Sequence, residues 1–192
     1  MPGDRLLRLM DIEEFRQTAL PLHDEMLSLW EELRGSPENA PPARKDFSLT
    51  KVGGKAKYIS VTELTPEGRL RLRLSSTLFD ETTGVAASGQ YFDDIMSPRD
   101  AAQLQPLISA AITTPCGLYT DQTVVLASGA TFLAKSLYLP CYNEGQPSSV
   151  IGTVHADEQG MKYLRGGQQF VISERQLNEA FFIDLGYGLP SL

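Results

Sequence analysis

Apolar positions in the first stretch of the chain keep a helical period. Leu22, Met26, Leu29, Trp30 and Leu33 recur at three- and four-residue spacing and draw one stripe along a helix. Asp11 with Glu14 marks a capping-box-like start upstream, and Pro21 between them predicts a kink or two short helices. Gly35 closes this segment, and the proline-rich run from Ser36 to Pro42 cannot extend it. The stripe is open to two readings: docking on the chain's own core, or a helix-to-helix homodimer contact made by Leu22, Met26, Leu29, Trp30 and Leu33.

After the linker the period falls to two. Tyr58 to Leu64 reads as a strand, Thr65-Pro66-Glu67-Gly68 as a tight turn, and Arg69 to Leu74 as alternating arginine and leucine. This hairpin puts leucines on a core and Arg69, Arg71 and Arg73 on the other face. From roughly Ser75 to Pro115 helical and loop signals dominate. Ser97-Pro98-Arg99-Asp100 supplies an N-cap, a proline at the first helical position and a carboxylate facing the free amides. The helix it starts turns Leu104, Leu107, Ile108 and Ala111 inward and stops before Thr114-Pro115.

Three more strands follow: Leu118 to Ala127, Thr131 to Leu139 and, after a Gly145-Gln146-Pro147 turn, Val150 to Ala156. A two-residue turn at Ser128-Gly129 sets Leu118 against Leu139 and Val124 against Leu133, with Leu126 and Leu137 on the same face. Gln122 then opposes Lys135 there, as a polar spot in the core or a pocket edge. The same register sets Cys116 opposite Cys141. Directly opposed β-carbons stand ~4.5–5.5 Å apart, mostly beyond disulfide reach, so two free, neighbouring buried thiols are expected. The tail holds a short strand at Phe170-Val171-Ile172. Ser173-Glu174-Arg175-Gln176 is then a capping box that leads through Leu177 and Phe181-Phe182-Ile183 to Gly186-Tyr187-Gly188.

This order predicts an α+β fold: a five-stranded antiparallel sheet with a helical crossover on one face, an N-terminal helix and a short C-terminal extension. The expected division is an N-terminal helical segment over 1–35, the sheet domain over 36–156 and an extension packing on it over 157–192.

Composition narrows the function classes. The 192 residues, 42% of them hydrophobic, suit one well-filled core. Lys and Arg number 17 against 24 Asp and Glu, a net charge of -7 that disfavours nucleic acid and anionic membrane surfaces. No apolar run approaches the ~20 residues of a membrane span. The start Met1-Pro2-Gly3-Asp4-Arg5 has no signal-peptide character, so a cytoplasmic location is expected. Nucleophile-elbow, P-loop and HExxH motifs are absent. Asp80-Glu81 and Asp93-Asp94 are adjacent carboxylates that point to different faces. His23, His155, Cys116 and Cys141 make a zinc set by count, but no spacing supports it, so no metal or cofactor is expected.

The ordered local features are more specific. They are Leu29-Trp30 with Leu33-Arg34-Gly35, Pro42-Ala43-Arg44 with Asp46, Arg71-Leu72-Arg73-Leu74, and Gly84 and Gly89 ahead of Phe92-Asp93. Leu139-Pro140 and Phe182-Ile183-Asp184-Leu185-Gly186 complete them. In this order the chain resembles the alphaproteobacterial stand-alone PAS-domain family (PAS_5), over roughly Leu22 to Ala156 plus the tail. It departs at Ser76-Thr77, where the family usually has Gly-Thr.

The resemblance implies a sensory or interaction module with a small pocket between sheet and crossover. Leu72, Leu74, Leu126, Leu133, Leu137, Val150 and Val154 would line it from the sheet, and Phe79, Met96 and Ile108 from the crossover. The plainer alternative is that these side chains fill the space as ordinary core. The implied function is a non-enzymatic regulatory module acting by protein contacts, with itself as a homodimer and with a signalling protein, and able to take a small molecule.

Two alternatives stay open. One is a small enzyme on a curved α+β sheet, with an acid/base pair such as Asp121 or His155 beside Tyr119. The other is a ligand-free structural dimer subunit. The arginine comb Arg69, Arg71 and Arg73 is either paired with Glu63 and Glu67 on a solvated face, or a contact for an anion or an acidic partner.

Overall fold

The structure is a computed structural model that describes residues 7–36, 38, 40–143, 146–166 and 169–191. Met1 to Arg5, Pro37 and Asn39 of the proline-rich run, and Gly145 of the turn before the last core strand lie outside the described residues.

Strand β1 (Leu7–Met10) leads into α1 (Ile12–Thr18), capped by the Asp11 carboxylate, which accepts from the Glu14 amide at 2.8 Å. The break predicted at Pro21 is real: α1 ends, and α2 (Pro21–Arg34) starts with that proline in its first turn and ends at Gly35. After a 3-10 turn (Arg44–Asp46), α3 (Leu49–Val52) and a second 3-10 stretch (Gly53–Tyr58), the hairpin forms as β2 (Ile59–Leu64) and β3 (Leu70–Leu74). Gly68 at φ 78 makes the turn between them, its amide donating to the Thr65 carbonyl at 2.9 Å.

The crossover comprises α4 (Thr77–Thr83), α5 (Phe92–Ile95) and α6 (Pro98–Thr113), α6 capped by Ser97 as its sequence predicts. Then come β4 (Gly117–Leu126), β5 (Thr131–Asn143), β6 (Gln146–Ala156), α7 (Glu158–Arg165) and β7 (Ile172–Ile183). Among the described residues no helix is long and apolar enough to cross a membrane.

The sheet has seven strands in the order β1-β7-β4-β5-β6-β2-β3. The five expected strands are its central and far portion; β7 and the parallel β1 extend it at the β4 edge. The capping box of the tail therefore starts no helix. Ser173 to Gln176 lie in β7, which runs antiparallel to β4 from Gly117 to Leu126 and fills its open edge. A bulge at Asn178, between the Asp121–Glu179 and Gln122–Leu177 pairs, turns a strand alternation into the three-residue spacing of Leu177 and Ala180, which imitates a helix.

Both faces of the sheet are covered, not one. Crossover helix α6 packs Leu104, Ile108, Ala111 and Ile112 with Leu70, Leu118, Val150 and Phe182. On the opposite face Phe15, Met26, Leu27 and Trp30 from α1 and α2 pack with Tyr119, Leu137, Leu139, Ile151 and Phe181. The stripe is thus used internally. Met26 and Trp30 are wholly enclosed in their own chain, Leu22 and Leu29 pack at the edge of the same cluster, and Leu33 is half-buried beside them. Wholly buried side chains offer no surface to a second copy, so the proposed dimer contact through this stripe is replaced by core docking. Residues of the first and last segments, Trp30 and Ile183 among them, share one core with the middle.

The β4–β5 register differs by one residue from the expected one. Leu118 faces Tyr138, Val124 faces Phe132 and Val125 faces Thr131. The connection is three residues, Ala127-Ser128-Gly129: the Gly129 amide closes a turn on the Leu126 carbonyl at 2.8 Å, and Gly129 takes φ 84. A one-residue slip exchanges the faces of β5. Cys116 consequently packs under α6 while Cys141 packs under α2, and both are free. The thiols are not neighbours.

Candidate functional site

The crossover-facing side chains of the curved sheet and the undersides of α4, α5 and α6 enclose a cavity of about 140 Å³. Its floor is a ladder of alternate residues: Ser60 and Thr62 on β2, Leu72 on β3, Gln122 and Val124 on β4, and Val154 and Ala156 on β6. Strand β5 contributes Phe132, Ala134, Ser136 and Tyr138, and β7 contributes Ile172 and Arg175. Pairing sets Ser136 against Val154 and Thr62 against Leu72, so the ladder is continuous across strands. The roof comes from Leu78, Phe79 and Thr83 of α4, Phe92 and Ile95 of α5, Met96, and Leu104 of α6. Helix α4 is held over the floor by its ends: the Ser76 hydroxyl accepts from the Phe79 amide at 3.2 Å, and Gly84 at φ 69 ends the helix.

Of the expected lining, Leu72, Phe79, Met96 and Val154 reach the cavity. Ile108 and Val150 are wholly buried in the solid core beneath α6. Leu126 packs at the far end with Phe132 and Met161. The register change carries Leu133 and Leu137 to the other face, Leu137 against α2 and Leu133 to the surface at 41% exposure. Leu74 leaves the floor for a different reason. A bulge in the hairpin pairs Leu72 with Thr62 but Leu74 with Val61, which points the other way, and Leu74 is 49% exposed.

Sequence reasoning missed the polar lining. Gln122 alone carried a signal, as a polar residue in an apolar alternation; its side-chain amide donates to Thr120 Oγ1 at 3.0 Å. Burial pushes the Tyr138 hydroxyl above its ordinary value, while a Ser136 hydrogen bond and the field of Arg175 act against that. Burial pulls the Arg175 guanidinium below the usual arginine value, opposed by Asp100 and Tyr138. The Ser75 hydroxyl, also on the cavity wall, is buried without a partner.

The acid/base candidates lie elsewhere. Tyr119, Asp121 and His155 occupy the face beneath α2, so the pair expected at the base of a catalytic pocket is not in the cavity. Lys135 pairs with Asp121 at 3.5 Å on that same face. The His23 ring stands edge-on to Tyr119 with centroids 5.4 Å apart. Both His23 ring nitrogens, the Tyr119 hydroxyl, Thr153 Oγ1 and His155 Nδ1 are buried without partners. Burial, with His155 and Lys135 nearby, holds His23 down at about 3. Among the described residues no three His, Cys, Asp or Glu side chains gather into a metal site.

The arginine comb is occupied from within. Arg69 pairs with Asp93 at 2.8 Å and stacks over Tyr91 at 3.8 Å, Arg71 holds Glu63, and Arg73 reaches Glu63 at 3.4 Å. Glu63 is the expected partner; Asp93 replaces Glu67. Guanidiniums already bound to carboxylates are poor receptors for a further anion.

No family model matches the chain, and no curated protein matches it. A PAS domain from Colwellia psychrerythraea has a loosely similar structure, covering 58% of this chain and 99% of its own, at 16% identity and a TM-score of 0.40. At that score the likeness carries no argument about fold or function.

Proposed function

We propose that the chain is a PAS-type sensory or regulatory module that binds a small molecule in the cavity between sheet and crossover and passes the occupancy to a partner protein. The cavity carries this conclusion: a concave, mainly apolar space with a few converging polar groups is the usual form of a small-molecule site. Its described lining contains no carboxylate, histidine, cysteine or lysine, which favours binding over acid/base or nucleophilic chemistry. Strand order supports it too, since the hairpin, helical crossover and three antiparallel strands follow the layout that the sequence resemblance implies.

Output would run through the crossover. Helices α4 and α5 are short and roof the cavity directly, and Val85 in the loop after α4 is exposed, so a ligand that shifts these helices alters the surface. Native mass spectrometry of protein purified from its own cells tests the proposal. A stoichiometric small molecule, lost from a Ser136→Leu variant that fills the floor, is the expected result. An empty wild-type protein whose stability and partner binding are unchanged by Ser136→Leu would overturn it.

A further inference from the structure

We propose that the molecule taken by this cavity is a small monocarboxylic acid, with its carboxylate held by the guanidinium of Arg175 and an apolar body against the aromatic wall. This rests on the cavity being a ligand site, as proposed above.

Arg175 sits on β7 opposite Val124, on the ladder that forms the floor, and it lines the cavity. Its backbone is anchored: its amide donates to Asp100 Oδ1 at 3.3 Å. Its side chain is not. Among the described residues the guanidinium makes no hydrogen bond and no ion pair, although the residue is only half-exposed and lines the cavity. Other arginines of the chain differ: Arg16, Arg69, Arg71, Arg73 and Arg99 all hold carboxylates. Asp100 is the carboxylate whose field acts on Arg175, and its Oδ1 already accepts from the Arg175 amide.

A half-buried guanidinium on a mainly apolar cavity wall has unfilled donors, and a planar carboxylate fills two of them in parallel. Charge decides between anions. The described lining holds no lysine and no second arginine, so a phosphate with nearly two charges would bring one uncompensated charge into a low-dielectric space. One carboxylate balances one guanidinium. Phe132, Phe170, Val124 and Ile172 are also in the lining, which suits an aromatic or short aliphatic body for the rest of the molecule.

Calorimetric titration of the full chain with benzoate and with benzyl alcohol at pH 7 tests this. The probes share a ring and differ in the anion. Wild type is expected to bind benzoate at least about tenfold more tightly than benzyl alcohol. Arg175→Met should weaken benzoate on the order of 10- to 100-fold, the worth of a charged hydrogen-bonded contact, and leave benzyl alcohol unchanged. Arg175→Lys, which keeps the charge and loses the fork, should fall between. Unliganded Arg175→Met should melt no lower than wild type, because it removes a half-buried charge that has no protein partner among the described residues and leaves an apolar side chain on the cavity wall.

Equal affinity for both probes in wild type would overturn the carboxylate assignment and leave the ligand site standing. Failure of both probes to bind would overturn the assignment; so would a co-purified molecule lacking a carboxylate, which would uphold the site. If Arg175→Met does not fold while Arg175→Lys folds and binds benzoate as wild type does, the arginine is structural and the assignment is overturned.

Discussion

The indole N–H of Trp30 donates to the carbonyl of Pro140 at 2.7 Å, joining positions 110 residues apart. Beside it the Arg34 guanidinium stacks at 4.8 Å over the Trp30 ring and donates to the Leu185 carbonyl at 2.6 Å. Helix α2 is thereby tied to the end of β5 and to the segment after β7, and the face of the sheet away from the cavity is sealed.

Trp30→Ala is expected to destabilise the chain by about 3–5 kcal/mol, from lost burial and the cavity left behind. Trp30→Phe isolates the hydrogen bond and should cost about 1–3 kcal/mol, because the Pro140 carbonyl stays buried without its donor. Urea unfolding measures both. Two variants of equal, small effect would show that α2 is only loosely seated.

Gly160 in α7 is a packing glycine. A β-carbon there would stand 2.5 Å from both the Phe132 ring and the Ala156 methyl group. Gly160→Ala should lower stability by about 1–3 kcal/mol through forced displacement. Gly54→Ala meets nothing within 4 Å, so its effect should stay below about 0.5 kcal/mol. A thermal melt of the pair gives the comparison.

Acid should release the α2 face. His23 titrates at its ordinary 6.5 in the unfolded chain but at about 3 when folded beside His155, Lys135 and Tyr119. The unfolded state therefore binds the extra proton across that window, and stability falls as pH falls from 6.5 toward 3. The slope is about 1.4 kcal/mol per pH unit. His23→Leu should remove this component, so the difference in stability between neutral and mildly acidic buffer should be smaller by about 2–3 kcal/mol than in wild type. An identical pH dependence in both proteins would contradict the assignment to His23.

Both thiols should be inert in the folded state. Burial pushes Cys116 up to about 12 and Cys141 up to about 11, the latter eased by its contact with the Ser149 hydroxyl. Thiolate is the reactive form. Alkylation at mildly alkaline pH should wait for unfolding, with both cysteines labelled together once denaturant is added. Rapid labelling of either in native buffer would contradict the burial.

Much of the fold was legible because its signals are local. The Pro21 break, the Thr65-Pro66-Glu67-Gly68 turn and the Ser97-Pro98 helix start depend on the backbone chemistry of adjacent residues, and each appears where that chemistry predicts. Half-legible was the pocket. Leu72, Phe79, Met96 and Val154 were placed at a pocket by the family resemblance and do line the cavity, whereas Leu133 and Leu137 were assigned to the wrong face by a turn one residue too short. Ser128-Gly129 fits a two-residue turn as well as the end of a three-residue one, and the choice between them is made by cross-strand packing.

By itself the sequence determined a single α+β core, the hairpin, the helical crossover and three antiparallel strands, because period and turn chemistry act over a few neighbouring residues. Tertiary structure decided the rest: that α2 closes the second face, that the capping-box segment at Ser173 pairs as a strand with β4, and that Arg175 lines the cavity, its guanidinium without a partner among the described residues. The physical reason is that these outcomes depend on partners far along the chain. An open strand edge takes whatever segment can satisfy its hydrogen bonds, overriding the weaker local preference for a helix. Once β7 is placed there, its alternation and its bulge determine which side chains face the crossover, and Arg175 is one of them.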